Sequence, residues 1–190
     1  YYQVWAEEAI SGRVSAGVLT SAGGKFIIEG LTAGKYRLFA QEYLTGNSSA
    51  EILGDFEVEN EKVTVVSERI SAKPKNFDFQ FVGFNGQLSQ VAIPLNKNRT
   101  YVIYVGGKNL DADKLDVNFN SPYFSVDPNS LIEHDYGSDV SVFSFEVTVA
   151  EEVEPGAYSL SLQSPNGVVD YIVGAIVIKD MVNPWFKYNF

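Results

Sequence analysis

Residues Ser21–Ala40 read SAGGKFIIEGLTAGKYRLFA, and this stretch decides the class of the first half of the chain. Gly23-Gly24 is a turn signal, because glycine reaches positive φ without a Cβ clash. Phe26 and Ile28 alternate with Lys25, Ile27 and Glu29. That period of two fits a strand with one face in a core. Gly30-Leu31-Thr32-Ala33-Gly34 makes the next corner, and Tyr36, Leu38 and Ala40 then alternate with Lys35, Arg37, Phe39 and Gln41. A helix would need apolar residues at i, i+3 and i+4 and would not tolerate so many glycines. The pattern predicts a half-buried antiparallel hairpin with two glycine corners.

On these residues the chain resembles a known family. Thr20-Ser21-Ala22-Gly23-Gly24-Lys25-Phe26, followed by Gly30-Leu31, Ala33-Gly34-Lys35-Tyr36 and Leu38, is similar to the carboxypeptidase regulatory-like domain. The resemblance covers roughly Val4–Ile70 and implies a transthyretin-like (prealbumin-like) β-sandwich that is itself non-catalytic. The family's usual first strand and glycine–proline turn are absent here, so the domain is expected to lack its first strand. An unpaired sheet edge left that way would be a template for another chain.

Composition sets the outer bounds. The chain has 190 residues, of which 45% are hydrophobic and 14% aromatic, enough for a real core. Val, Ile, Phe, Tyr and Thr dominate that apolar set and favour strands. Glycines and prolines recur at the spacing of a strand and a turn, the pattern of an all-β sandwich. The formal net charge of −10 argues against nucleic acid and anionic membrane surfaces as partners. With no cysteine there is neither a disulfide framework nor a thiolate site. No apolar run approaches the ~20 residues of a membrane span. The sequence opens on Tyr1-Tyr2 and is expected to be processed or a fragment.

Further strands are predicted at Tyr2–Ala6, at Val14–Thr20, around Phe56 and Val58, and from Val63 to about Ile70. Ala72-Lys73-Pro74-Lys75 is polar and aperiodic and reads as a linker. The pattern restarts at Phe77, Phe79 and Phe81. Phe84-Asn85-Gly86 is a turn, and strands follow at Val91–Leu95, Tyr101–Val105, Val117–Phe119, Phe124–Val126, Phe143–Val149, Tyr158–Leu162 and Ala175–Ile178.

This second half resembles another family. Tyr104-Val105-Gly106-Gly107-Lys108-Asn109-Leu110, then Val149-Ala150, Pro155-Gly156-Ala157-Tyr158-Ser159-Leu160 and Ser164-Pro165-Asn166-Gly167, are similar to corners and late strands of IPT/TIG immunoglobulin-like domains. The resemblance covers about Phe77–Lys179, with Leu131–Gly137 fitting poorly. The organisation expected is therefore 1–71 as a carboxypeptidase regulatory-like sandwich, 72–76 as linker, 77–180 as an IPT/TIG-like sandwich, and 181–190 as an aromatic tail. The fold class is all-β, with two tandem antiparallel β-sandwich domains.

Candidate chemistry is sparse. His134 is the single histidine, too few for a recognisable triad or a histidine-rich metal site, and it reads as a surface-loop residue. Asp111, Asp113 and Asp116 could offer hard oxygens to calcium, but the EF-hand spacing is absent and no metal is expected. Glu7-Glu8 and Glu151-Glu152 read as solvated. No catalytic residue and no cofactor is predicted. Trp5 and the tail residues Trp185, Phe186, Tyr188 and Phe190 are the candidate partner-binding residues, since exposed aromatics beside polar groups suit protein or sugar surfaces. Packing at corners, between domains or back onto a domain is the competing reading of the same residues. Both resemblances imply non-catalytic modules outside the cytoplasm: extracellular, at the cell surface or periplasmic. The function expected is a structural or interaction protein that assembles with other subunits by strand exchange or tail docking. The alternative is a carbohydrate- or peptide-binding accessory module of a secreted enzyme.

Overall fold

The computed structural model describes residues 1–43, 50–70, 75–90, 92–137 and 139–179. Among these the chain is all-β, without a helix, in two antiparallel-rich sheets. No helix is therefore long and apolar enough to cross a membrane.

The first half contributes β1 (Tyr2–Glu8), β2 (Arg13–Val14), β3 (Val18–Leu19), β4 (Gly34–Glu42) and β5 (Glu51–Val58). The second half contributes β6 (Asp78–Phe84), β7 (Gln87–Ser89), β8 (Ile93–Leu95), β9 (Arg99–Lys108), β10 (Asp116–Phe119), β11 (Phe124–His134), β12 (Ser141–Val149), β13 (Gly156–Gln163) and β14 (Val169–Ile178). One sheet runs β5-β4-β1-β2-β13-β14-β8, with β3 on β1 and β10 on β13, and the other runs β11-β12-β9-β6-β7. The first sheet thus crosses from one half of the sequence into the other. The crossing is β2, where Val14 pairs with Glu7 of β1 and with Ala157 of β13.

The larger core lies between the two sheets in the second half. Ile103, Phe143, Phe145, Tyr158, Leu160, Leu162 and Ile176 are fully buried there. This is the expected alternation: in β12, Phe143, Phe145, Val147 and Val149 all turn inward. The Asn85-Gly86 corner joins β6 to β7 with φ of 55° and 74°, the left-handed pair that a two-residue hairpin turn needs. Within the corner expected over Gly106–Leu110 the chain turns at Asn109, at φ 55°, while Gly106 and Gly107 still lie in β9, where a Cβ on Gly107 would run into the backbone carbonyl of Asp78 on β6. Leu131–His134, which fit the family pattern poorly, continue β11 past a bulge that follows Asp127.

In the first half the predicted hairpin is only half present. Lys35–Gln41 lie in β4, but Lys25–Glu29 form no ladder. The reason is that β4 has no free edge: β1 bonds one side from Tyr36 to Glu42, and β5 bonds the other from Gly34 to Ala40. The alternation still acts through packing. Phe26 and Ile28 lie against Val4, Leu38 and Ala40, while Ile27 is 76% exposed. The predicted closing strand after Val63 likewise forms no ladder. Val66 packs on the same small core and Thr64 donates its hydroxyl to the Glu57 carbonyl at 2.9 Å, leaving Val63 91% exposed.

Of the expected linker, residues 72–74 lie outside the described residues. Lys75, at its end, is tied down. Its ammonium lies 3.0 Å from Asp170 Oδ1 and 3.4 Å from Glu51 Oε1. Asp170 is fully buried and also accepts the Phe79 N–H at 2.8 Å and the Tyr171 N–H at 2.9 Å. One carboxylate thereby ties β14 to the entry of β6 and, through Lys75, to β5. Removing it would leave Lys75 and two backbone donors without that acceptor. We expect Asp170→Ala to lower the unfolding free energy by about 3 kcal/mol, read from urea denaturation midpoints.

A cleft over the seam of the two halves

The face of β1 that carries Trp5 and Glu7 is the one turned toward the second half. Trp5 is half-buried and packs at the seam with Phe39, Ala50 and Tyr171. Phe39 and Tyr171 meet edge to face at 5.0 Å, a favourable aromatic geometry. Of the two readings of Trp5, the structure places it in packing between the halves. The other candidate partner residues, Trp185, Phe186, Tyr188 and Phe190, lie outside the described residues.

Two residues further along β1, Glu7 is only 3% exposed. The sequence reading of Glu7 as a solvated charge is therefore corrected. The strand alternation that turns Val4 and Ala6 toward one face puts Glu7 with Trp5 on the other, and the second half covers that other face. Asn120, just after β10, donates its amide Nδ2 to Glu7 Oε1 at 2.8 Å. Glu7 Oε2 is shielded from solvent and has no hydrogen-bond partner. Burial pushes the Glu7 carboxyl above its ordinary value, while Asn120, the neighbouring Ser159 hydroxyl and the Arg37 charge pull it partly back. Burial likewise pushes the Tyr171 hydroxyl up.

Glu7 lines a cleft of about 560 Å³ together with Ala9, Lys35, Tyr36, Arg37, Asp55, Phe56, Glu57 and Asn120. That volume is in the usual range for small-molecule sites, about 300–1,000 Å³. The sheet register builds its floor. Glu7 lies opposite Arg37, Arg37 opposite Asp55, and Lys35 opposite Glu57. Arg37 Nε donates to Asp55 Oδ1 at 2.9 Å. The intervening Tyr36 and Phe56, which also contribute to the lining, stack their rings at 5.7 Å. Across the cleft, the loop holding Asn120 is pressed against Gly12. That glycine has φ 73°, and a Cβ there would overlap the Asn120 backbone.

The remaining candidates do not converge. The Asp111 carboxylate takes the Lys114 ammonium at 2.5 Å and the Asp113 N–H at 3.1 Å. Among the described residues no group of three acidic or histidine side chains could hold a metal ion. His134 is not in a loop as expected. It ends β11 half-buried, with Nε2 2.8 Å from Ser144 Oγ and its ring 5.1 Å from that of Tyr104.

Two outcomes test this geometry. Because the Glu7 pKa is raised on folding, the stability linked to it is complete below the ordinary carboxylate range and is lost as pH rises through the raised value. Glu7→Gln removes that loss. The variant should match the wild type near about pH 4 and be the more stable of the two at neutral pH, in urea titrations at the two pH values. Gly12→Ala should cost about 1–3 kcal/mol, through positive φ and collision with Asn120, in the same assay.

No protein-family model matches the chain, and no curated protein sequence matches it. Among solved structures, one similar chain is that of the Bacteroides ovatus mixed-linkage glucan utilization locus SGBP-B in complex with a mixed-linkage heptasaccharide. The identity is 15% and the TM-score 0.29, over 95% of this chain and 37% of that one. The chain thus spans little more than a third of that protein's length, and a likeness of this size bears on neither its site nor its ligand.

Proposed function

We propose that the chain is a non-catalytic binding module of an extracellular, cell-surface or periplasmic protein, and that it holds its ligand in the cleft over the seam. The carboxypeptidase regulatory-like and IPT/TIG-like resemblances of its two halves support such a role. The observation that carries the reading is a concave site of small-molecule size where a buried carboxylate, the Arg37–Asp55 ion pair and a side-chain amide converge. Convergent polar groups in one concavity are the mark of a binding site.

This favours the ligand-binding accessory module over assembly by strand exchange. The argument for a donated strand starts from an open edge beside the first strand, and β1 is hydrogen-bonded on both sides, by β4 and by β2 and β3.

A thermal-shift screen of the chain against soluble saccharides and short peptides tests the proposal. A cleft ligand at a hundred times its Kd stabilises the fold by about 2.7 kcal/mol, a shift of several degrees. The double variant Lys35→Ala/Glu57→Ala, which alters only exposed side chains of the cleft floor, should fold as the wild type does and lose the shift. Shifts that survive in this variant would move the site elsewhere.

A further inference from the structure

We propose that the cleft takes a neutral, hydroxyl-rich ligand, a sugar unit, and that a ligand hydroxyl is anchored on Glu7 Oε2. This inference rests on the reading of the cleft as the binding site and names what it binds.

The first argument is charge balance. The cleft holds Lys35, Arg37, Glu7, Asp55 and Glu57. Asp55 engages Arg37, and Lys35 lies opposite Glu57 in the strand register. An anionic ligand would meet three carboxylates, Glu7, Asp55 and Glu57, against two cations, one of them already engaged. A cationic ligand would meet Lys35 and Arg37, the second near enough to Glu7 to act on its ionisation. A neutral ligand escapes both costs and can use the same groups as donors and acceptors.

The second argument is the unfilled valence. A buried carboxylate oxygen needs a donor; Asn120 donates to Oε1, and Oε2 has no partner within hydrogen-bond distance. A hydroxyl can donate to Oε2 whether or not the ligand carries charge. Oε2 is shielded in the unliganded chain, but its neighbour Arg37 pairs with an Asp55 side chain that is 69% exposed, and such surface pairs rearrange readily.

The third argument is the lining. The lining sets polar side chains beside Ala9, Tyr36 and Phe56, a mixture of hydrogen-bonding groups and apolar surface that suits a sugar. Glu7, Arg37 and Asp55 sit on adjacent strands, spaced about 4.8 Å apart, close to the reach across a single sugar ring.

The test is isothermal titration of the full chain with glucose, galactose, mannose, xylose and their disaccharides. Glucuronate, glucosamine and short neutral peptides serve as counterparts. At least one neutral sugar should bind, and Glu7→Gln should weaken it at least tenfold, because the bond to a charged acceptor is lost. The variant is expected to fold at least as stably as the wild type, so its loss of binding cannot be unfolding. Lys35→Ala/Glu57→Ala should weaken the same sugar. Tighter binding of glucuronate or glucosamine would overturn the neutral-ligand claim. Neutral-sugar binding unchanged in Glu7→Gln would overturn the anchor. Peptide binding that is lost in Lys35→Ala/Glu57→Ala would overturn the sugar and leave the cleft as the site. Absence of binding by every probe would count against both.

Discussion

The structure depends on a very short piece of β-ladder. Arg13–Val14 is bonded on one side to β1 and on the other to β13, and through it the two halves share one sheet. So few backbone bonds, at about 0.5–1.5 kcal/mol each, would not fix two bodies by themselves. The Arg13–Glu154 ion pair beside them is exposed on both partners and adds little. What makes the seam hold is the side-chain packing on either side of it. Phe39, Tyr171, Ala50 and Trp5 close it on one flank, and Glu7 with Asn120 on the other.

The two buried carboxylates at this seam behave differently, and the difference is in their partners. Asp170 has a cation and two backbone donors, so its charge is compensated where it lies. Its role is to tie the chain after the expected linker onto β14. Glu7 has the Asn120 amide as donor, the neighbouring Ser159 hydroxyl, a more distant arginine, and one oxygen without a partner within hydrogen-bond distance. A buried ionisable group left so poorly compensated costs stability at neutral pH. The first carboxylate explains part of the fold, whereas the second works against it.

Most of the fold was legible because the signals that carry it are local. Period-two alternation located β1, β4, β6, β9, β12 and β13, and the Asn85-Gly86 dipeptide located a hairpin. What failed was pairing. Lys25–Glu29 and Val63–Ile70 carry strand-like alternation and bury Phe26, Ile28 and Val66, yet neither joins a ladder. A strand needs a neighbour with a free edge, and both edges of β4 are taken, one by β5, the next strand in the chain, and the other by β1. The site was missed for a related reason. Glu7-Glu8 looks like any solvated acidic pair until the second half of the chain covers one face of β1. The single local hint is Trp5, two residues earlier on that same face, an aromatic that the sequence leaves open to partner binding or to packing between domains and that packs at the seam.

That coverage also explains why the cleft is where it is. A sheet face shared by two halves cannot be filled completely, because each half brings its own twist and its own loops. The concavity left over falls between the end of β1, the outer strands β4 and β5, and the Gly12–Asn120 contact. A chain under pressure for stability alone would line such a gap with apolar side chains, or replace the buried Glu7 with one of them. Here the gap keeps a carboxylate with an unused oxygen and the Arg37–Asp55 ion pair on its floor. Features that break the local rules without any gain to the fold are expected at functional sites, where stability is given up for chemistry. On that reasoning Glu7 is retained for what it can accept from outside the chain.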